Sequence, residues 1–206
     1  MKAENKTIQK CYGKIAQEYD WAEGYMLNLI GLKRWRKALF KDLKGHVLEV
    51  GAGTGLSFGA YPKGVQLTAT DLTPAMLKIA QKRAQKCGIS IACADTLNLP
   101  FADNTFDAVV DCLCLCTYQS PSAALAEMHR VLKPNGQLVL LEHGLAHAQW
   151  LQKFQHKYAE KHFKSMCCRW HLDMQRVVTS AAGFKLTFRQ RRLWGLVYLF
   201  KLTKVK

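Results

Sequence analysis

Acidic residues are scarce in this chain. Fifteen Asp and Glu stand against 30 Lys and Arg in 206 residues, a formal net charge of +15, and from Lys153 to Lys206 the only acids are Glu160 and Asp173. A field of that sign draws anionic partners in a salt-dependent way and says nothing about fold. Nucleic acid, an anionic membrane surface, an acidic small molecule and plain solubility all fit it. Long apolar runs are missing too: none approaches the ~20 residues that span a bilayer, and the N-terminus lacks the charged-then-apolar pattern of a signal peptide. The expected location is the cytoplasm, with a peripheral place at the inner membrane surface compatible with the charge. There is no regular cysteine framework. Cys11, Cys87, Cys93, Cys112, Cys114, Cys116, Cys167 and Cys168 sit mostly within apolar runs, as expected of free thiols in a reducing compartment. The length suits one domain with a proper core.

What is present centres on His46-Val47-Leu48-Glu49-Val50-Gly51-Ala52-Gly53-Thr54-Gly55, an apolar run that breaks into alternating glycines before helix-forming sequence. It reads as strand, tight turn and helix N-terminus, the place where a ligand approaches the main chain closely. The dinucleotide fingerprint would need a third glycine where Leu56 stands, and it does not ask for an acid at Glu49. S-adenosylmethionine fits better, because a carboxylate favours its amino group and sulfonium. Val65–Asp71 reads as a second strand whose terminal acid suits a ribose diol. Asp95, after the run 89–93, is placed to accept from an adenine amino group.

The segments VLEVGAGTG (47–55), TATDLTPAML (68–77), ADTLNLPFADNTFDAVV (94–110) and RVLKPNGQLVLLEHG (130–144) resemble the successive signatures of class I S-adenosylmethionine-dependent methyltransferases. Tyr12 to Asp20 and the Trp35-Arg36 segment further resemble the ubiquinone/menaquinone-biosynthesis C-methyltransferase group and its short bacterial relatives. The group also takes in phospholipid N-methyltransferases and thiol S-methyltransferases. The resemblance implies an α/β fold: a Rossmann-like, seven-stranded, mostly parallel sheet with helices on both faces and an antiparallel C-terminal strand. It also implies that Tyr19, Glu49, Gly51, Ala52, Gly53, Asp71, Leu72, Asp95, Thr96 and Cys112 hold S-adenosylmethionine. Cys167 to Asp173 is similar to a Gly-Cys-His-x-Asn-Arg-Asp signature of the short relatives, keeping Cys168 and Asp173 without the intervening Asn-Arg.

Along the chain, residues 1–44 are expected to form a helical lid or cap, 45–145 the cofactor-binding core, 146–182 a helical cap on the acceptor side and 183–206 a closing hairpin. Trp21–Lys41 is a basic amphipathic segment, suited to core packing, a lid or a membrane surface. Helices are expected over Ala75–Cys87, with Thr73 as cap and Pro74 first, over Pro121–Leu132, over Gln149–Lys164 and over Asp173–Ala182. Strands are expected at Thr105–Val110, at Gln137–Leu141 after a Lys133–Gly136 turn, at Phe184–Arg189 and at Trp194–Leu202.

Asp111 to Tyr118 holds three alternating cysteines. On a strand they would share one face with sulfurs about 7 Å apart, too far for one tetrahedral ion, so no metal is expected there. Cys112 and Leu113 would line the cofactor pocket, and Cys116 to Tyr118 would face the acceptor. Glu142 or His143 offers a general base at the cleft; Tyr118, His171 and Asp173 are further catalytic candidates. No Asn/Asp-Pro-Pro-aromatic motif and no Pro-Cys loop is present, which argues against a nucleic-acid base as acceptor. The expected acceptor is a small lipophilic molecule: a thiol, a quinone precursor or a phospholipid amine. The rival reading is a non-enzymatic nucleic-acid or anionic-membrane binder that retains the cofactor fold. Oligomeric state is not legible.

Overall fold

In a computed structural model the structure describes residues 3–21 and 29–205. Helices α1 (Ala3–Tyr19) and α2 (Leu32–Phe40) precede β1 (His46–Val50), β2 (Gln66–Asp71), α3 (Pro74–Cys87), β3 (Ser90–Cys93), β4 (Phe106–Cys112), α4 (Pro121–Val131) and β5 (Leu132–His143). Helices α5 (Gln149–Lys157), α6 (Ala159–Met166) and α7 (Met174–Thr179) lead to β6 (Phe184–Arg192) and β7 (Val197–Lys204). The seven strands form one sheet in the order β3-β2-β1-β4-β5-β7-β6. Strands β1 to β5 pair parallel, and β7 runs antiparallel to both β5 and β6. This is the expected Rossmann-like fold. The strand order reverses between β1 and β4, the switch point outside whose carboxyl ends such sheets bind ligands.

The near-continuous apolar runs of β1 and β4 follow from cover on both faces. Leu48, Val50 and Val109 pack with Leu125 and Met128 of α4 and with Met174 and Val178 of α7. Val47, Ala108 and Val110 pack on the opposite face with Leu39 and Phe40 of α2 and with Ala80 and Ala84 of α3. In α2 the buried positions are Leu32, Arg36, Leu39 and Phe40, with Lys33, Arg34 and Lys37 exposed. Part of the expected Trp21–Lys41 segment, residues 22–28, lies outside the described residues. Pro74 opens α3 as expected, but Thr73 caps it without a side-chain bond: its own N–H donates to Asp71 Oδ1 at 2.7 Å.

Several expectations need correction. The expected Lys133–Gly136 turn is an irregularity inside a longer β5, which begins at Leu132; the pairing with β4 jumps from Phe106↔Leu132 to Ala108↔Gln137. The expected Gln149–Lys164 helix breaks at Tyr158 into α5 and α6. The expected Asp173–Ala182 helix is the shorter α7. The largest correction concerns the alternating cysteines. Strand β4 ends at Cys112, Leu113 adopts φ 65, and the chain turns away. Cys114 and Cys116 therefore share no strand face with Cys112.

Candidate active site

The glycine turn after β1 has positive φ at Gly51 (+60) and Gly53 (+56). A Cβ on Gly51 would fall 2.3 Å from Cys114 Sγ, whereas one on Gly53 would meet nothing within 4 Å. The first glycine thus serves close packing and the second leaves open space for a ligand. Asp71 ends β2 and holds this turn: Gly53 N donates to its Oδ2 at 2.8 Å while Thr73 N donates to Oδ1. Burial nonetheless pushes its carboxyl above the usual carboxylate range. Asp95 accepts from Leu97 N at 3.0 Å and from Asn5 Nδ2 at 2.6 Å. Thr96 donates to the Tyr118 hydroxyl at 3.3 Å.

These groups border a cleft of about 230 Å³ at the ends of β1, β2 and β4. Tyr19, Gly51, Gly53, Asp71, Leu72, Asp95, Thr96 and Tyr118, all singled out in the sequence, line it. Helix α1 straps the opening. Besides the Asn5 bond, Gln9 Nε2 donates to Leu72 O at 2.8 Å, and Asp20 accepts from Thr54 Oγ1 and from Arg83, both at 2.5 Å. Asn5, Gln9 and Arg83 carry no local motif, and sequence reasoning missed them.

Other expected contacts lie elsewhere. Glu49 shares its strand face with Val47, away from the cleft; it is 1% exposed and accepts from Ser57 Oγ at 2.5 Å. Burial pushes its carboxyl up to about 7. Ala52 and Cys112 are buried beside the cleft and not in its lining. Ala52 instead donates its N–H to Thr70 O. His171 packs against His156, with ring centroids 5.7 Å apart. Asp173 accepts from Arg176 N at 3.0 Å as the cap of α7 and lines a separate surface hollow. His171 and Asp173 are thus set apart from the cofactor cleft.

The ends of β4 and β5 bring together two buried acids. Asp111 Oδ1 accepts from Cys114 N and Glu142 Oε1 from Leu113 N, both at 3.1 Å, so the pair holds the turn after β4. Burial pushes Asp111 up to about 6, and burial and the neighbouring Asp111 push Glu142 well above the carboxylate range. Two carboxyls this close cannot both ionise cheaply, so the protonated form of at least one is favoured, with the Tyr118 hydroxyl as a further neighbour of Asp111.

Tyr12, Tyr19 and Leu113 border both the cofactor cleft and a second cavity of about 210 Å³. Leu32, Met166, Trp170 and Val197 give it apolar walls, and Cys116, His143 and Cys168 its polar atoms. His143 therefore faces two thiols here. The contacts with Cys116 and His143 favour the thiolate of Cys168, while the bond with Cys168 and burial push the Cys116 thiol up. Arg169 donates to the carbonyls of Cys116 and Tyr118, fixing the turn that carries Cys116.

A model of the family described as a methyltransferase domain matches residues 48–140. The demethylmenaquinone methyltransferase of Deinococcus radiodurans is 34% identical over 169 residues, covering 73% of this chain and 68% of that enzyme. The chain belongs to the class I S-adenosylmethionine-dependent methyltransferases. This methyltransferase is also 39% identical over 141 residues to the demethylmenaquinone methyltransferase of Renibacterium salmoninarum, covering 66% of the chain and 58% of that enzyme. Of its curated relatives' own length the chain spans between 40% and 68%. A solved S-adenosylmethionine-dependent methyltransferase from Thermotoga maritima shares the fold: TM-score 0.70, 22% identity, covering 96% of this chain and 99% of that one.

The expected cofactor of the methyltransferase is S-adenosylmethionine, and the cleft fits it. Gly53 presents unobstructed backbone. Each Asp71 oxygen accepts one amide and keeps lone pairs for a ribose diol, and Asp95 with Thr96 offers polar groups for a base edge.

Proposed function

We propose that this methyltransferase transfers its methyl group to a small lipophilic acceptor bound in the second cavity. The observation that carries this reading is the wall shared by the two spaces: Tyr12, Tyr19 and Leu113 border the cofactor cleft on one side and an apolar cavity on the other. When bound, S-adenosylmethionine supplies a methyl group already activated on a sulfonium, so alignment and exclusion of water can provide most of the rate. Tyr19 and Leu113 define the passage between donor and acceptor, while Asp71 and the glycine turn fix the donor side. For an acceptor that must lose a proton in a cavity without bound metal, His143 is one titratable group in the lining.

The relatives named demethylmenaquinone methyltransferase support a lipophilic acceptor by similarity. A peripheral seat on an anionic membrane belongs to the same proposal. Helix α5 exposes Trp150 (68%) and Phe154 (47%) among Lys153 and Lys157, a pattern suited to the interface. Incubation with methyl-labelled cofactor and, separately, alkyl thiols, demethyl-quinones and phospholipid vesicles tests the reading. Label in one organic-phase product supports it; label in none overturns it.

A further inference from the structure

Three nitrogen and sulfur donors converge in the second cavity. Cys116 Sγ and Cys168 Sγ lie 3.3 Å apart, and His143 Nε2 is 3.2 Å from each. They come from the turn after β4, the end of β5 and the turn after α6. Among the described residues, this is the one group of His, Cys, Asp and Glu whose ligand atoms all lie within 4.8 Å of one another. A dithiol needs no imidazole equidistant from both sulfurs, and a Cys–His pair needs no second thiol. A metal ion uses all three.

We propose that Cys116, His143 and Cys168 form a zinc site in the acceptor cavity, whose fourth coordination position takes the sulfur of a thiol acceptor. The acceptor half of this proposal rests on the methyl-transfer reading above; the metal half does not. Zinc bonds of ~2.3 Å to sulfur and ~2.0 Å to nitrogen at tetrahedral angles separate donor atoms by roughly 3.5–3.8 Å. The observed triangle is smaller by a few tenths of an ångström, which modest side-chain rotation supplies. This differs from the CxCxC arrangement, where the sulfurs of one strand would lie too far apart; here the Leu113 turn brings Cys116 against residues from two other elements.

Two thiolates and an imidazole select a borderline-soft ion over magnesium or calcium. Two thiolates also cancel the charge of the divalent ion, which suits apolar walls. Three protein ligands with a fourth position left to an exogenous group is the pattern of a catalytic zinc. His162 lines the same cavity and stacks on Trp170 with ring centroids 4.3 Å apart, which fixes its ring beside the triangle.

Among the three acceptor classes, a thiol is the one whose reacting atom is itself a good zinc ligand. On coordination R–SH gives its proton to solvent and becomes a thiolate. Its lone pair then forms the new S–CH3 bond as the methyl–sulfonium bond breaks, with that pair passing to the sulfur of S-adenosylhomocysteine. The product is a neutral thioether, a weaker ligand that leaves.

The test uses the full chain, reduced and loaded with cobalt(II) in place of zinc. The proposal expects about one cobalt per chain, thiolate-to-cobalt charge-transfer bands and tetrahedral ligand-field bands. These are lost in Cys116→Ser and Cys168→Ser and kept in Cys87→Ser, a change at an exposed cysteine. Calorimetry with S-adenosylhomocysteine reports whether each variant is folded; should a cysteine variant fail it, His143→Gln must shift the bands instead. Butanethiol should move the ligand-field bands and butanol should not. Absence of the bands in the parent protein, or their survival in the double cysteine variant, overturns the metal site. Bands indifferent to butanethiol overturn the thiol assignment. Because no readout here is turnover, failure of the methyl-transfer reading shows separately, as unlabelled products in the transfer assay.

Discussion

The two spaces on either side of Tyr12, Tyr19 and Leu113 are built on opposite principles. In the cofactor cleft the acids are occupied by main-chain amides: Asp71 by Gly53 and Thr73, Asp95 by Leu97. In the second cavity the polar side chains engage one another, Cys116, His143 and Cys168 closing a triangle. The first arrangement fixes a loop for a cofactor shared by a large family. The second gathers two thiols and an imidazole from three separate elements, with Cys116 Sγ also donating to Leu113 O at 3.7 Å. On the proposed reading, the difference separates binding of the donor from choice of the acceptor.

Asp71→Ala should break that separation most severely, since it removes two amide partners as well as the ribose acceptor. Charged hydrogen bonds contribute about 1.5–3 kcal/mol each. Cofactor affinity should therefore fall by at least a hundredfold in calorimetry, and turnover with it; an unchanged affinity would refute the assignment of the cleft.

The wall between the spaces is held by Asp111 and Glu142, and its stability should depend on pH. Both folded-state pKa values are raised, so the stabilising protonated forms are present at low pH and are lost as pH rises. For Asp111 the window runs from about 4 to about 6. Glu49, raised to about 7, extends it upward. A shift of roughly two units corresponds to ~3 kcal/mol. Urea midpoints should decline across that window, and Asp111→Asn should flatten the decline. A profile identical to the parent would show that Asp111 does not carry the pH dependence.

Cys116→Ala sharpens the comparison. It should lower transfer to the acceptor about tenfold or more, leaving cofactor affinity within a factor of two. Parallel losses would mean that the cavities are not independent. The smallest effect is expected for Arg83→Met at the strap. Arg83 and Asp20 are 37% and 30% exposed, so solvent screening limits their pair to about 1 kcal/mol. Cofactor affinity should weaken no more than fivefold, with thermal stability nearly unchanged.

The same contrast explains what could be read in the sequence. The glycine turn, Asp71, Asp95 and the Pro74 helix are local: each spacing dictates its own geometry, and the structure puts them where the residues say. Glu49 in β1 reads from the sequence as a cofactor contact, and its direction is not legible there. Both faces of that strand are covered, so no polar alternation marks which side meets the cleft. Asp173 suited a cap as well as a catalytic acid, and the Arg176 amide is what it meets. The triangle had no local signal. His143 lies 27 residues from Cys116 and 25 from Cys168, and they meet because Leu113 takes a left-handed conformation that leucine rarely adopts. No propensity announces that turn; the buried acid pair beneath it enforces it.

Helix α1 has one more consequence. It holds the cleft shut through Asn5, Gln9 and, just past its end, Asp20, and its Tyr12 and Tyr19 also wall the acceptor cavity. One element is therefore the door to both rooms. On the proposed reading, donor and acceptor are walled by the same two tyrosines, and a change in how α1 seats is felt in both spaces at once.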